Sequence, residues 1–264
     1  MIIALLLLFL YLLSTKGRTG HPGLETLRRY RYAHRGLHGN GVPENSMAAF
    51  RSALEHGYGI ELDVHLLADG NLAVMHDSSL LRTTGENLRL EDLTTEDLPK
   101  YPLEGTGETI PEFQQVLQLF SGGTPLIVEL KTANNAAALT EAACNMLDRY
   151  NVSYCIESFD PRCILWLRKH RPEIIRGQLA ENFFRTAGCR LPWLGKLTMA
   201  WQMANFITKP DFIAYRFSDR GHISCKICRK LWHIQGVSWT LRSQDALETA
   251  ESEGWIPIFE GFLP

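Results

Sequence analysis

The sequence has no surplus of charge, no dense cysteine pattern and no apolar run of full bilayer length. Lys and Arg number 27 against 29 Asp and Glu, a net charge of −2. A dedicated nucleic-acid binder is normally strongly basic, so nucleic acid is not expected among the partners. The six cysteines, Cys144, Cys155, Cys163, Cys189, Cys225 and Cys228, are neither dense nor regularly spaced. A disulfide framework needs both, so free, small, buried thiols are expected. Cys225 and Cys228 are the one tight pair. No second pair, and no suitably spaced histidine pair, completes a zinc site around them. Internal repeats and low-complexity tracts are absent as well.

The N-terminus differs from the rest. Residues 2–13 are twelve unbroken apolar residues, short of the roughly twenty that a spanning helix needs. No basic stretch precedes them, and neither a small-x-small cleavage site nor a lipobox-like cysteine follows. Positive charge comes after the run, at Lys16, Arg18, Arg28, Arg29 and Arg31, which by the positive-inside tendency puts the globular part on the cytoplasmic side. The expectation is a short membrane anchor or signal-like segment over residues 1–15, a basic linker over 16–30 and one domain over 31–264. An exported chain that keeps its signal is the alternative.

Along that domain, strands and helices alternate. Strands are expected at residues 31–34, 60–66, 126–130, 154–157, 174–177, 212–215, 237–240 and 256–259, with a short return strand at 72–75. Helices are expected at 47–56, 112–120, 135–150, 161–170, 223–233 and 244–253; Asn45 or Ser46 can cap the first of them. Residues 78–108 read as a long loop with a small helix near 94–98, and residues 181–206 stay unassigned. Apolar runs separated by helical segments indicate parallel strands covered on both faces. Eight of them in one domain of about 250 residues fit an α/β fold of the closed (β/α)8 type.

In such a barrel, chemistry sits at the C-terminal ends of the strands. His34 and Arg35 end the first strand, and Glu61 and Asp63 lie two apart on the second, on one face. His76 follows the return strand, Glu129 and Lys131 close the next, and Glu157, Gln178 and Trp239 end later ones. Three carboxylates aimed at one mouth repel each other unless a cation joins them, and oxygen ligands suit Mg2+ or Ca2+. Two flanking histidines supply an acid and a base near neutral pH. Arg35 and Lys131 add positive charge suited to a phosphate. Together these groups describe phosphodiester cleavage. Read singly, Glu61 and Asp63 are equally well salt-bridge partners of Arg35 and Lys131. Asp77 is placed to orient His76, and His65 is set aside as a residue of the turn.

These residues form a recognisable set: His34-Arg35-Gly36, Pro43-Glu44-Asn45-Ser46 with Phe50 and Ala53, Glu61-Leu62-Asp63-Val64, Asp69-Gly70, His76-Asp77 and Glu129-Leu130-Lys131. Glu157-Ser158-Phe159-Asp160 and Val237-Ser238-Trp239-Thr240 are weaker echoes. Over residues 31 to about 260 the chain resembles the glycerophosphodiester phosphodiesterase family. The resemblance implies a TIM barrel of the phospholipase-C-like phosphodiesterase type that hydrolyses glycerophosphodiesters to glycerol 3-phosphate and an alcohol. It implies His34 and His76 as general acid and base, and Glu61, Asp63 and Glu129 as ligands of a divalent cation, Mg2+ or Ca2+. Arg35 would contact the phosphate and Glu44 would lie close to the metal. A glycerol hydroxyl of the substrate would attack first, and water would then open the cyclic phosphate. The C-terminal Ile258-Phe259-Glu260-Gly261 departs from the family's Thr-Asp-containing ending, and residues 183–206 do not match. A lysophospholipase D-type enzyme acting on lysolipids is the alternative on the same fold. A membrane-tethered binding module without catalysis is a third reading, but a binder has no use for both histidines.

Overall fold

The computed structural model describes residues 1–186, 188–189 and 191–264. Its strands are β1 (Tyr32–His34), β2 (Gly59–Leu66), β3 (Leu72–Val74), β4 (Leu126–Leu130), β5 (Tyr154–Ser158), β6 (Arg176–Ala180), β7 (Phe212–Arg216), β8 (Gln235–Leu241) and β9 (Trp255–Phe259). The order β1-β9-β8-β7-β6-β5-β4-β2, closed by a β1–β2 pairing, makes a barrel of eight parallel strands. β3 returns antiparallel on β2. The (β/α)8 expectation holds. The parallel strands are almost entirely buried, as apolar runs covered on both faces must be.

The outer layer contains α3 (Met47–Glu55), α5 (Phe113–Leu119), α6 (Ala136–Leu147), α7 (Pro161–His170), α8 (Trp193–Ala200), α9 (Asn205–Thr208), α10 (Ile223–Lys226) and α11 (Gln244–Ser252). Their starts are legible in the sequence. Ser46 caps α3 through a bond from Ala49 N, Asp160 caps α7 ahead of Pro161, and Ser243 caps α11. Each side-chain oxygen takes up an N–H that has no partner inside the helix. The core lies between the barrel and these helices, around Phe50, Leu62, Phe113, Val128, Ile156 and Ile213.

Several expectations are corrected. Residues 94–97 form a turn rather than a helix, and the one helical turn near them is the 3-10 turn Leu98–Lys100; the segment after β3 also holds α4 (Leu81–Thr84) and 3-10 turns at Leu90–Asp92 and Leu103–Gly105. These pack into a core of their own with Leu67, Met75, Leu80, Leu90, Leu98, Leu103 and Ile110. The leucine spacing there follows no helical or strand period, so periodicity could not reveal it. β6 runs over Arg176–Ala180 rather than 174–177; Arg176 is buried at its start and donates from Nε to the Thr208 carbonyl at 3.2 Å. Residues 16–30, read as a linker, include α2 (Leu24–Leu27), whose two leucines are buried under the barrel floor; Arg18 pairs with buried Asp211 at 2.5 Å.

The apolar N-terminus forms α1 (Ile2–Ser14). At 1.5 Å per residue it is about 20 Å long, against a hydrocarbon core of about 30 Å. No described helix is long and apolar enough to cross a membrane. All six cysteines are free thiols.

Candidate active site

The mouth of the barrel is built from the turns that follow β1, β2 and β4. Arg35 and Gly36 both adopt positive φ, 55° and 79°, directly after β1. A Cβ at position 36 would lie 2.9 Å from Ala49 and Phe50, so the His-Arg-Gly sequence needs its glycine. The next turn carries Asn45, also at positive φ (52°), whose Nδ2 donates to Asp63 Oδ2 at 2.8 Å. Positive φ at Arg35 and Asn45 is backbone strain held at the site.

On β2 and β4 the register places Asp63 beside Glu129, with Glu61 two residues earlier on the same face. Oxygens of Glu61, Asp63 and Glu129 lie within 4.8 Å of one another, and all three side chains are buried. Burial pushes Glu61 well up, and the charges of Asp63 and Glu129 add to it. Glu129 is raised for the same first reason, opposed by Lys131. Burial also acts to raise Asp63, but Lys131, His76 and Arg35 outweigh it and hold this carboxyl well below its ordinary range. Lys131 Nζ lies 3.0 Å from Asp63 and 2.6 Å from Glu129, and Arg35 Nε lies 3.4 Å from Asp63. An oxygen-only set of this density, strained by its own repulsion, fits a hard divalent cation. Glu157, paired in register with Glu129, is also buried, and its Oε2 has no hydrogen-bond partner among the described residues.

The two histidines face the same cavity. His34 donates from Nδ1 to Glu260 Oε2 at 2.5 Å, leaving its Nε2 3.8 Å from Glu61. His76 makes the same bond to Asp77 Oδ1 at 2.6 Å. Each carboxylate is held by an arginine: Glu260 by Arg242 at 3.2 Å, and Asp77 by Arg82 at 2.6 Å. Arg82 continues to Glu44, which also binds Arg35 at 2.8 Å. The bond from His34 takes Glu260 down to about 2, and burial lowers His34 itself. A histidine anchored through Nδ1 presents Nε2 for proton transfer.

A cavity of about 50 Å³ is lined by His34, Arg35, Glu61, His76, Glu129, Lys131, Glu157, Phe159, Leu179, Trp239 and Ile258. A cleft of about 240 Å³ adjoins it across His76, Lys131 and Phe159. A larger cavity, about 920 Å³, lies on the outer wall beside α10 and contains neither the acid cluster nor the histidines.

His34, His76, Glu61, Asp63, Glu129, Lys131, Arg35 and Trp239 are therefore brought together as the sequence predicted. Arg35 and Lys131, expected at a phosphate, are here paired with the acids. Glu44 stands outside the acid trio, between two arginines, and Asp77 lies on His76. Sequence reasoning assigned no role to Glu260, Arg82 or Arg242; only the position of Glu260, just past the last strand, could have signalled it. His65, set aside as a turn residue, is buried on β2, 3.0 Å from Glu91 and 3.3 Å from the His76 carbonyl.

Comparisons with known proteins bear on the family and the fold. A profile of the glycerophosphoryl diester phosphodiesterase family matches residues 34–210. A glycerophosphodiester phosphodiesterase of Caldanaerobacter subterraneus is 32% identical over 179 residues, 63% of this chain and 71% of that protein. A human lysophospholipase D is 34% identical over 132 residues, 45% of this chain. That protein and a Bacillus altitudinis glycerophosphodiester phosphodiesterase are matched over less than half their length, 41% and 45%. An Oleispira antarctica phosphodiesterase solved with the product sn-glycerol-3-phosphate superimposes with a TM-score of 0.73 at 22% identity, covering 88% of this chain and 92% of that one. The chain belongs to the glycerophosphoryl diester phosphodiesterase family.

Proposed function

We propose that the chain hydrolyses glycerophosphodiesters to glycerol 3-phosphate and an alcohol, with His34 and His76 moving the protons. One observation carries this reading: two histidines, each anchored by a carboxylate at Nδ1, face one small cavity beside three buried acids. In the first step, Nε2 of one histidine takes the proton of the substrate's glycerol hydroxyl as its oxygen bonds to phosphorus. The other histidine protonates the departing alcohol oxygen. In the second step, water opens the cyclic phosphate with the two roles exchanged, which restores both histidines. Glu61, Asp63 and Glu129 would hold Mg2+ or Ca2+, and a bound ion supplies charge neutralisation at the phosphoryl oxygens. Arg35 and Lys131, paired with Asp63 at the edge of the acid cluster, would turn to the phosphate once a cation takes over those acids.

The test is a panel of glycerophosphodiesters incubated with the full chain and either ion. Release of glycerol 3-phosphate that stops on addition of EDTA is expected. No release from any head group with any divalent metal would refute the reading.

A lysolipid substrate is the second reading. It is favoured by the aromatic wall that leaves the cavity, from Trp239 to Phe159 at 5.7 Å and on to Phe183 at 6.0 Å. On this reading α1 is a surface anchor rather than a span, with Lys16 after it available to anionic headgroups.

A further inference from the structure

We infer that the catalytic face is itself the membrane-docking face, with α1 and the segment around Trp193 entering an anionic lipid surface together. This rests on the phosphodiesterase reading only for what it delivers to the site; the docking surface stands on its own observations.

The first observation is the direction of α1. Just past its C-terminal end, Arg18 N donates to the Pro210 carbonyl at 2.8 Å, and Gly17 packs against Pro210 and Ile234. Both residues precede strands, β7 and β8, so this end of α1 lies at the barrel floor. Farther back, the Tyr11 ring meets Trp201 at 5.7 Å, and Trp201 meets His222 at 5.0 Å. His222 caps α10, just after β7, on the side of the mouth. α1 therefore runs along the barrel wall with its N-terminus toward the mouth. The ten residues before Tyr11 carry it about 15 Å farther in that direction. Ile2, Ile3 and Leu5 to Leu10 are each more than half exposed.

The second observation is independent of α1. The connection from β6 to β7 begins in the active-site wall, where Phe183 packs on Phe159. It then exposes Phe184, Leu191, Trp193 and Leu194, the last two at 67% and 66%. Water-facing tryptophan and leucine in adjacent positions are costly unless something apolar covers them. Two such surfaces on the same end of the barrel point to one shared, extended partner, which a bilayer supplies.

Charge selects the lipid. Residues 182–209 contain no acidic residue, and neither do residues 1–24. Arg185 is exposed and Lys196 half-exposed beside the apolar positions. Apolar side chains flanked by cations and free of carboxylates match an interface of acyl chains beneath anionic headgroups. The aromatic path from Phe184 through Phe183 and Phe159 to Trp239 then leads from that interface to the acid cluster. A glycerophosphodiester lipid could reach the site without its chain passing through water.

The experiment is flotation of the full chain with vesicles of phosphatidylcholine, alone or mixed with phosphatidylglycerol, compared with Trp193→Ser/Leu194→Ser and with Leu6→Asn/Phe9→Asn. Binding is expected, stronger with phosphatidylglycerol, and each double variant should lose at least about tenfold in partitioning, the factor for leaving one large apolar side chain unburied. Brominated lipids should quench the fluorescence that Trp193→Phe removes. Hydrolysis of water-soluble glycerophosphocholine should be unchanged in the Trp193/Leu194 variant. Wild-type flotation by that variant, unquenched Trp193, or self-association of the chain with no vesicle binding would each overturn the docking face. Loss of soluble-substrate hydrolysis in the wild type would instead count against the phosphodiesterase reading, with flotation unaffected.

Discussion

At the scale of single residues, the site is two matching relays, His34–Glu260–Arg242 and His76–Asp77–Arg82. Their carboxylates orient the rings and stabilise a positive imidazole. Glu260 raises the pKa of His34 against the lowering effect of burial. Removing it in Glu260→Gln should therefore lower His34 further and shift to lower pH whichever limb of the kcat/KM profile His34 governs. The rate should also fall, by about tenfold or more, because the ring loses its anchor. A pH–rate profile checks both. Stability has the same origin with the opposite view of the pair. Glu260 is depressed to about 2 in the folded chain, so its contribution is present above the ordinary carboxylate range and is lost as pH falls toward 2. Acid-unfolding curves of wild type and Glu260→Gln should thus converge at the acid end. His65 belongs to this scale too: it ties β2 to the backbone at His76, a part that a reading of sequence motifs alone passes over.

At the scale of elements, the segment between β3 and α5 decides where His76 sits. Its leucines form a separate small core behind the His76 loop. Leu90→Ala should cost about 2–5 kcal/mol for a fully buried leucine, and it should lower turnover although residue 90 does not line the cavity. Thermal melting with parallel assays at a temperature where the variant is folded checks both effects. Elements with clear patterns were legible: β2 and β4 lie where apolar runs put them, α3 where its helical spacing and Ser46 put it, and α7 over the residues 161–170 read as helix. The segment after β3 was not, because its order comes from tertiary packing of irregularly spaced leucines. β6 lies later than its apolar run suggested and opens on buried Arg176, whose guanidinium meets the Thr208 carbonyl, a contact that no local rule anticipates. Within the site, the residues in compact motifs were legible. Glu260, Arg82 and Arg242 were not, since their meaning comes only from contacts across the closed barrel.

At the scale of the whole molecule, barrel closure brings β1, β2 and β4 together with β9, and thereby His34 and the acid trio with Glu260. Three buried carboxylates within 4.8 Å oppose folding through their repulsion, and a bound cation removes that opposition. Saturating Mg2+ or Ca2+ should raise the melting temperature by about 5 °C or more, as expected for a ligand well above its Kd; Glu129→Gln should abolish the shift. The central claim is that His34 and His76 carry the proton transfers of phosphodiester hydrolysis. The most direct measurement is the steady-state release of glycerol 3-phosphate from glycerophosphocholine by wild type, His34→Ala and His76→Ala, each with an unchanged melting temperature. A loss of about 10²–10⁴-fold or more in kcat for each variant is predicted; near-wild-type turnover by either one would contradict the account.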